Sequence, residues 1–242
     1  MRHLLLALTV VLGIARADCA TVDLLQFQSP LVPGTENVTV ITPDCAADGL
    51  RRVPTVYLLN GFDGDHLAWI YIRPDLPRLA DTYGFVIVCP HGRNSWYWDS
   101  PADPTMRMES YITTELVPYI DAHYPTIPEA SKRAISGLSM GGHGALWLGM
   151  RHSDIWGSAA SMSGGVDIRP FPDNWKMKEW LGERDANKHR WDDHTVINLV
   201  PTLRQGQLNI AFDCGKDDFF AGVNENLHRA PVSYTHLTLP TT

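Results

Sequence analysis

The chain has 242 residues, 44% hydrophobic and 19% charged, with eight Trp and a formal charge of −7. That composition fills one large α/β core and excludes disorder and low-complexity architecture. It also lacks the basic footprint that a phosphate backbone requires, so nucleic acid is not an expected partner.

Arg2 and His3 precede an apolar run from Leu4 to Ala15, and Ala15-Arg16-Ala17 supplies the small residues of a signal-peptidase site. Residues 1–17 therefore read as a secretory signal, too short to span a bilayer, with a secreted or periplasmic protein after it. Asp18 stands before Cys19, where a lipoprotein site needs a small residue, so no lipid anchor or membrane partner is expected. Export permits disulfides among Cys19, Cys45, Cys89 and Cys214. Residues 20–28 and 36–42 are β-prone and flank Pro33-Gly34-Thr35, a hairpin centred near residue 32 that pairs positions summing to 64. In that register Cys19 and Cys45 close its open end, with Cys89 and Cys214 as buried thiols at strand ends; four free thiols are the alternative.

Short apolar runs then alternate with amphipathic segments, the pattern of parallel strands and crossover helices. Strands are expected over 53–59, 85–89, 133–136, 157–162 and 208–212. The clearest helix runs from Thr105 to His123, with Met108, Tyr111, Ile112, Leu116, Tyr119 and Ile120 on one face and Tyr124-Pro125 as its stop. Residues 168–204 break the alternation and carry Trp175, Trp180 and Trp191 among many charges, which reads as an inserted helical cap whose Trp fill its own small core, a direct role in gripping substrate being the alternative. No repeat or linker divides the chain, so 18–230 is read as one domain. Residues 231–242 have no Asp, Glu, Lys or Arg and no regular period; they read as a tail foreign to that domain.

Gly137-Leu138-Ser139-Met140-Gly141 fits Gly-x-Ser-x-Gly, with a β-prone run before it and an apolar helix after it. The pentapeptide alone is a weak signal, but that context is a nucleophile elbow, a strained strand-to-helix turn that lifts the serine oxygen above the sheet edge. Serine needs a base and the base needs an acid. After the last strand, Cys214-Gly215-Lys216-Asp217-Asp218-Phe219 offers two carboxylates for that acid, one of them free for a turn or cap role. An oxyanion requires two backbone N–H donors: Met140 follows the nucleophile, and the loop Asn60-Gly61-Phe62-Asp63-Gly64 supplies Phe62. His143 reads as a packed side chain, and no metal-ligand spacing occurs. Trp96, Tyr97 and Trp98, just past a strand end, are expected either to line an acyl pocket or to pack the rim.

Together LLNGFDG, PHGRNSWYWDSP, ELVPYIDAHYPT, GLSMGGHGA and CGKDDFF, in that order, resemble the esterase family of the α/β-hydrolase superfamily that includes S-formylglutathione hydrolases, feruloyl and acetyl-xylan esterases and antigen 85 mycolyltransferases. The resemblance implies an α/β-hydrolase fold: a mostly parallel sheet with an N-terminal antiparallel hairpin and a helical cap. It selects Asp218 over Asp217 as the acid, maps the oxyanion donors onto Phe62 and Met140, and implies no cofactor. Many members have His where this chain has Asn60, a change expected to be tolerated because the backbone is the donor. Members carry their catalytic His in a Gly-x-His setting roughly thirty or more residues beyond the acid. Here only His228 and His236 follow Asp218 and neither is assigned as the base, so the domain is expected to be truncated and this chain inactive by itself. The resulting expectation is a secreted serine carboxylesterase acting through an acyl-enzyme on Ser139, on small-molecule or carbohydrate esters. An acyltransferase of the antigen 85 kind and a silent carbohydrate-binding protein on the same fold are its rivals.

Overall fold

A computed structural model of the chain describes residues 20–230. The signal segment, Cys19 and the tail from 231 lie outside the described residues, and with them the expected Cys19–Cys45 bridge. Cys45, Cys89 and Cys214 form no disulfide with one another; Cys89 is buried as expected, whereas Cys214 is only half-buried.

Strands β1 (Thr21–Gln28) and β2 (Thr35–Thr42) form the expected antiparallel hairpin, but the register is one residue off. Thr21 faces Thr42 and Gln28 faces Thr35, so partner numbers sum to 63. Gly34, at φ +74, closes the turn directly before β2, and a left-handed residue there starts the second strand one position earlier.

Five further strands complete a seven-stranded sheet in the order β1-β2-β4-β3-β5-β6-β7. They are β3 (Thr55–Leu59), β4 (Val86–Pro90), β5 (Arg133–Leu138), β6 (Ser158–Met162) and β7 (Asn209–Asp213). From β4 to β7 every pairing is parallel, and β2 joins β4 antiparallel. β4 is buried on both faces, which explains its unbroken apolar run. The chain passes from β3 to β4 on one side and then returns to β5 on the other. That reversal opens a crevice at the carboxyl ends of β3 and β5, where open α/β sheets place ligands.

Helices α1 (Ala68–Ile72) and α2 (Leu76–Tyr83) cover one face around Ile41, Ile87 and Cys89. On the same face of β5–β7, the small residues Ala134, Ser136, Ala160 and Ala211 are only half-buried. The helix expected over 105–123 starts later and is not uniform. It consists of α3 (Met108–Ser110), a π-helical stretch (Tyr111–Leu116) and α4 (Val117–His123). Asp103 binds the Thr105 N–H and hydroxyl, holding the chain in a turn before the helix. Pro118 lacks an N–H and would crowd the carbonyl one turn back; the widened π turns before it accommodate both defects.

On the opposite face lies α5 (Met140–Arg151), packed on β3, β5 and β6. Its carboxyl end is tied to α3 by buried Glu109, which accepts from Trp147 Nε1 at 2.8 Å, Arg151 Nε at 2.9 Å and His152 Nε2 at 2.6 Å. Burial pushes the Glu109 carboxyl up, but these partners together hold it below its ordinary range. The cap comprises α6 (Met177–Leu181), α7 (Lys188–Asp193) and a 3₁₀ turn (Val196–Thr202), as expected for 168–204. Trp191 is buried and donates to Gly182 O, filling the cap's own core. Trp180 instead reaches out to Asn94 O, and Trp96 Nε1 donates to Trp175 O, so these contacts latch the cap onto the loop after β4. Helix α8 (Ala221–Arg229) follows the turn after β7.

Candidate active site

Ser139 stands between β5 and α5 at φ 56° and ψ −114°, a left-handed conformation that only a constrained turn imposes on serine. Its N–H donates to Met162 O at 2.8 Å and its carbonyl accepts from His143 N at 3.0 Å, so backbone bonds on both sides hold the turn. The half-buried hydroxyl makes no hydrogen bond among the described residues. Close backbone approach makes this possible. A Cβ on Gly141 would lie 2.2 Å from Leu59 O, so only glycine lets the start of α5 press against the end of β3.

That approach brings the two expected donors to Ser139. A Cβ on Gly61 would lie 3.6 Å from Ser139 Cβ, which places the Gly61–Phe62 peptide against the elbow. Neither the Phe62 N–H nor the Met140 N–H has an acceptor among the described residues. The Met140 N–H, at the first position of α5, adds the positive end of the helix dipole to the same place.

Two strands away, the turn after β7 distinguishes the two aspartates. Asp217 is 89% exposed, 3.8 Å from Lys216. Asp218 is half-buried, its Oδ1 accepting from Phe220 N at 2.8 Å and its N–H donating to Gly215 O at 3.0 Å. Met162 pairs with Asp213, and Ser163 N donates to Asp213 O, so the elbow and the acid turn both adjoin the carboxyl end of β6. At about 4.8 Å per strand, roughly 10 Å separates β5 from β7, enough for one imidazole between serine and carboxylate. Among the described residues, no histidine hydrogen-bonds to Ser139 or Asp218. His228 lines a cavity of about 390 Å³ with Cys214, Gly215 and Glu225, and neither Ser139 nor Asp218 is part of that lining.

The remaining candidates are structural. His143 is buried; it accepts from Trp98 Nε1 at 2.9 Å through Nε2 and therefore donates through Nδ1 to Gly165 O at 2.8 Å. Burial lowers its pKa to about 3. Trp96, Tyr97 and Trp98 are at most 1% exposed, so they form core beneath the site and do not line a pocket. Sequence reading missed what holds their loop. Arg93, Asn94, Trp96 and Tyr97 all take positive φ, although none is glycine. Buried Glu36 grips Arg93, and Tyr97 packs on Gly144 of α5. Only Asn94 is a residue type that favours positive φ; at Arg93, Trp96 and Tyr97 it is set by tertiary contacts, which no local pattern displays.

The family model described as "Putative esterase" matches residues 31–235. This chain belongs to that esterase family. It is 30% identical over 203 residues to S-formylglutathione hydrolase from Mus musculus, covering 75% of this chain and 69% of the relative. It is 26% identical over 191 residues to an acetyl esterase from Caldicellulosiruptor saccharolyticus, covering 73% and 70%. Among solved structures, the serine hydrolase FphF of Staphylococcus aureus superposes with a TM-score of 0.77 at 20% identity, covering 90% of this chain and 89% of that one. Membership makes the chain a carboxylic ester hydrolase on the α/β-hydrolase fold. No described helix of this esterase is long and apolar enough to cross a membrane.

Proposed function

We propose that this esterase works through an acyl-enzyme on Ser139. The strained, unpaired hydroxyl beside two free N–H groups carries the reading. An imidazole supplied from outside residues 20–230 takes the Ser139 proton as the oxygen attacks the ester carbonyl. Asp218 orients that imidazole and stabilises its cation; the Phe62 and Met140 N–H groups receive the oxyanion. Collapse of the tetrahedral adduct expels the alcohol with the imidazole's proton, and water then releases the acid by the same route in reverse.

The substrates proposed are small carboxylic esters, including acetyl or feruloyl groups on carbohydrate, met outside the cytoplasm after export. The names of the relatives, S-formylglutathione hydrolase and acetyl esterase, support short acyl groups. Hydrolysis of p-nitrophenyl acetate by the enzyme with its imidazole in place tests the mechanism: Ser139→Ala is expected to lose at least about a thousandfold in kcat, and an unchanged rate would remove Ser139 from the reaction.

A further inference from the structure

The oxyanion donor sits on a loop, and a loop N–H is useful only if its direction is fixed before the substrate arrives. The Gly61–Phe62 peptide is gripped at its carbonyl. Gly61 O accepts from Asn60 Nδ2 at 2.8 Å and from Gly64 N at 3.1 Å. A trans peptide is planar, with its C=O and N–H pointing in opposite directions, so a carbonyl held toward Asn60 aims the Phe62 N–H away from the loop interior.

Asn60 is itself fixed. It is 2% exposed, and its Oδ1 accepts from Gly92 N at 2.9 Å and lies 3.1 Å from the Tyr97 hydroxyl. Tyr97 OH is equally close, 3.1 Å, to Asn60 O, so one proton serves both oxygens. These partners also determine the orientation of the amide: the Gly92 N–H needs an oxygen, and the Gly61 carbonyl needs the NH₂. No other side chain of this size does both: leucine would orphan the Gly92 N–H, and an ionised aspartate would set a charge against the Gly61 oxygen. A second clasp lies outside, where Asp63 N donates to Asn94 Oδ1 at 2.7 Å and Asn94 Nδ2 returns to Asp63 Oδ1 at 2.8 Å. Being solvent-exposed, it contributes less than the buried one. Both clasps end on the positive-φ loop after β4.

We propose that the Asn60 carboxamide, held by Gly92 and Tyr97, is the positioning residue that presets the Phe62 N–H for the oxyanion. This rests on the reading of Ser139 and Phe62 given above. It also gives a further reason why Asn is expected to be tolerated at position 60 in place of His: its amide can hold the loop that carries the backbone donor.

The test uses the full chain labelled with [15N]Phe, the Phe62 amide being assigned by its loss in Phe62→Leu. In the wild type that amide is expected to be rigid, with an order parameter of about 0.85. In Asn60→Ala it falls below about 0.6 while the other Phe amides are unchanged. Tyr97→Phe keeps the ring on Gly144 and loosens Phe62 by an intermediate amount, which preserves the test should Asn60→Ala not fold. In the enzyme with its imidazole in place, Asn60→Ala is expected to lose about 10- to 100-fold in kcat on p-nitrophenyl acetate with KM within about twofold, a split that general loosening of the fold would not give. A Phe62 amide as rigid in both variants as in the wild type would overturn the proposal, as would a loosened amide with unchanged kcat. Full hydrolysis by Ser139→Ala would instead defeat the underlying mechanism and leave the amide result standing as a structural fact.

Discussion

Ser139 holds a conformation that costs about 1–2 kcal/mol relative to a relaxed serine, because its Cβ is what positive φ penalises. The penalty survives substitution by alanine and disappears with glycine, whose greater unfolded-state freedom takes back part of the gain. Ser139→Gly is therefore expected to be more stable than Ser139→Ala by about 0.5–1 kcal/mol, read from urea midpoints, although both lack the proposed nucleophile. His143 provides a second test at a single side chain. Its imidazole is neutral in the fold, with a pKa near 3, and ordinary once unfolded. Between those two values only the unfolded chain takes up the proton, so stability is complete above about pH 6.5 and declines as the pH falls. The loss attributable to this group is about 1.4 kcal/mol per pH unit. His143→Gln is expected to flatten the stability–pH slope between pH 6.5 and 5 by roughly that amount in urea titrations at several pH values. The candidate catalytic residues stand out in the sequence because each sits in a local pattern: a pentapeptide for Ser139 and Met140, a glycine-containing turn for Phe62 and for Asp218. Asn60 and Tyr97 do not, because their importance lies in bonds to each other across 37 residues.

Two elements meet at single residues, and each junction has a measurable strength. Alanine at Gly141 would put a methyl carbon 2.2 Å from Leu59 O, and neither α5 nor β3 can retreat from the core. Gly141→Ala is expected to destabilise by about 3 kcal/mol or more and to cut hydrolysis in whatever remains folded, as measured by thermal unfolding and p-nitrophenyl acetate turnover. At the other end of α5, Glu109 bridges the π-interrupted helix to Trp147, Arg151 and His152. Glu109→Gln keeps the shape but sets an amide NH2 against the Trp147, Arg151 and His152 donors, while half-exposed Arg151 keeps its solvation, so a loss of about 1–2 kcal/mol is expected in the same unfolding assay. Apolar runs and turn residues made the parallel strands, the hairpin and the cap readable from the chain. The hairpin slipped by one residue because Gly34 moves the start of β2. The π turns escaped detection because apolar spacing looks alike in α and π geometry until Pro118 forces the difference.

Across the whole molecule, the reversal of strand order at β3 explains why the loop after β3, the elbow at Ser139 and the turn that carries Asp218, distant in sequence, come to one edge. β3, β5, β6 and β7 are consecutive neighbours in the sheet, so the loops after them face the same crevice. The loop that braces this crevice is the exception to local self-consistency. Four of its residues take backbone angles costing about 1 kcal/mol or more apiece, a debt that burial of Trp96, Tyr97 and Trp98, at about 2–3 kcal/mol each, more than offsets. That compensation exists only after β2, α5 and the cap are in place to receive the rings. The edge that carries the candidate site is therefore expected to be completed last on refolding: secondary structure followed by far-ultraviolet circular dichroism should recover first, and the fluorescence component removed by Trp96→Phe and Trp98→Phe should lag behind it.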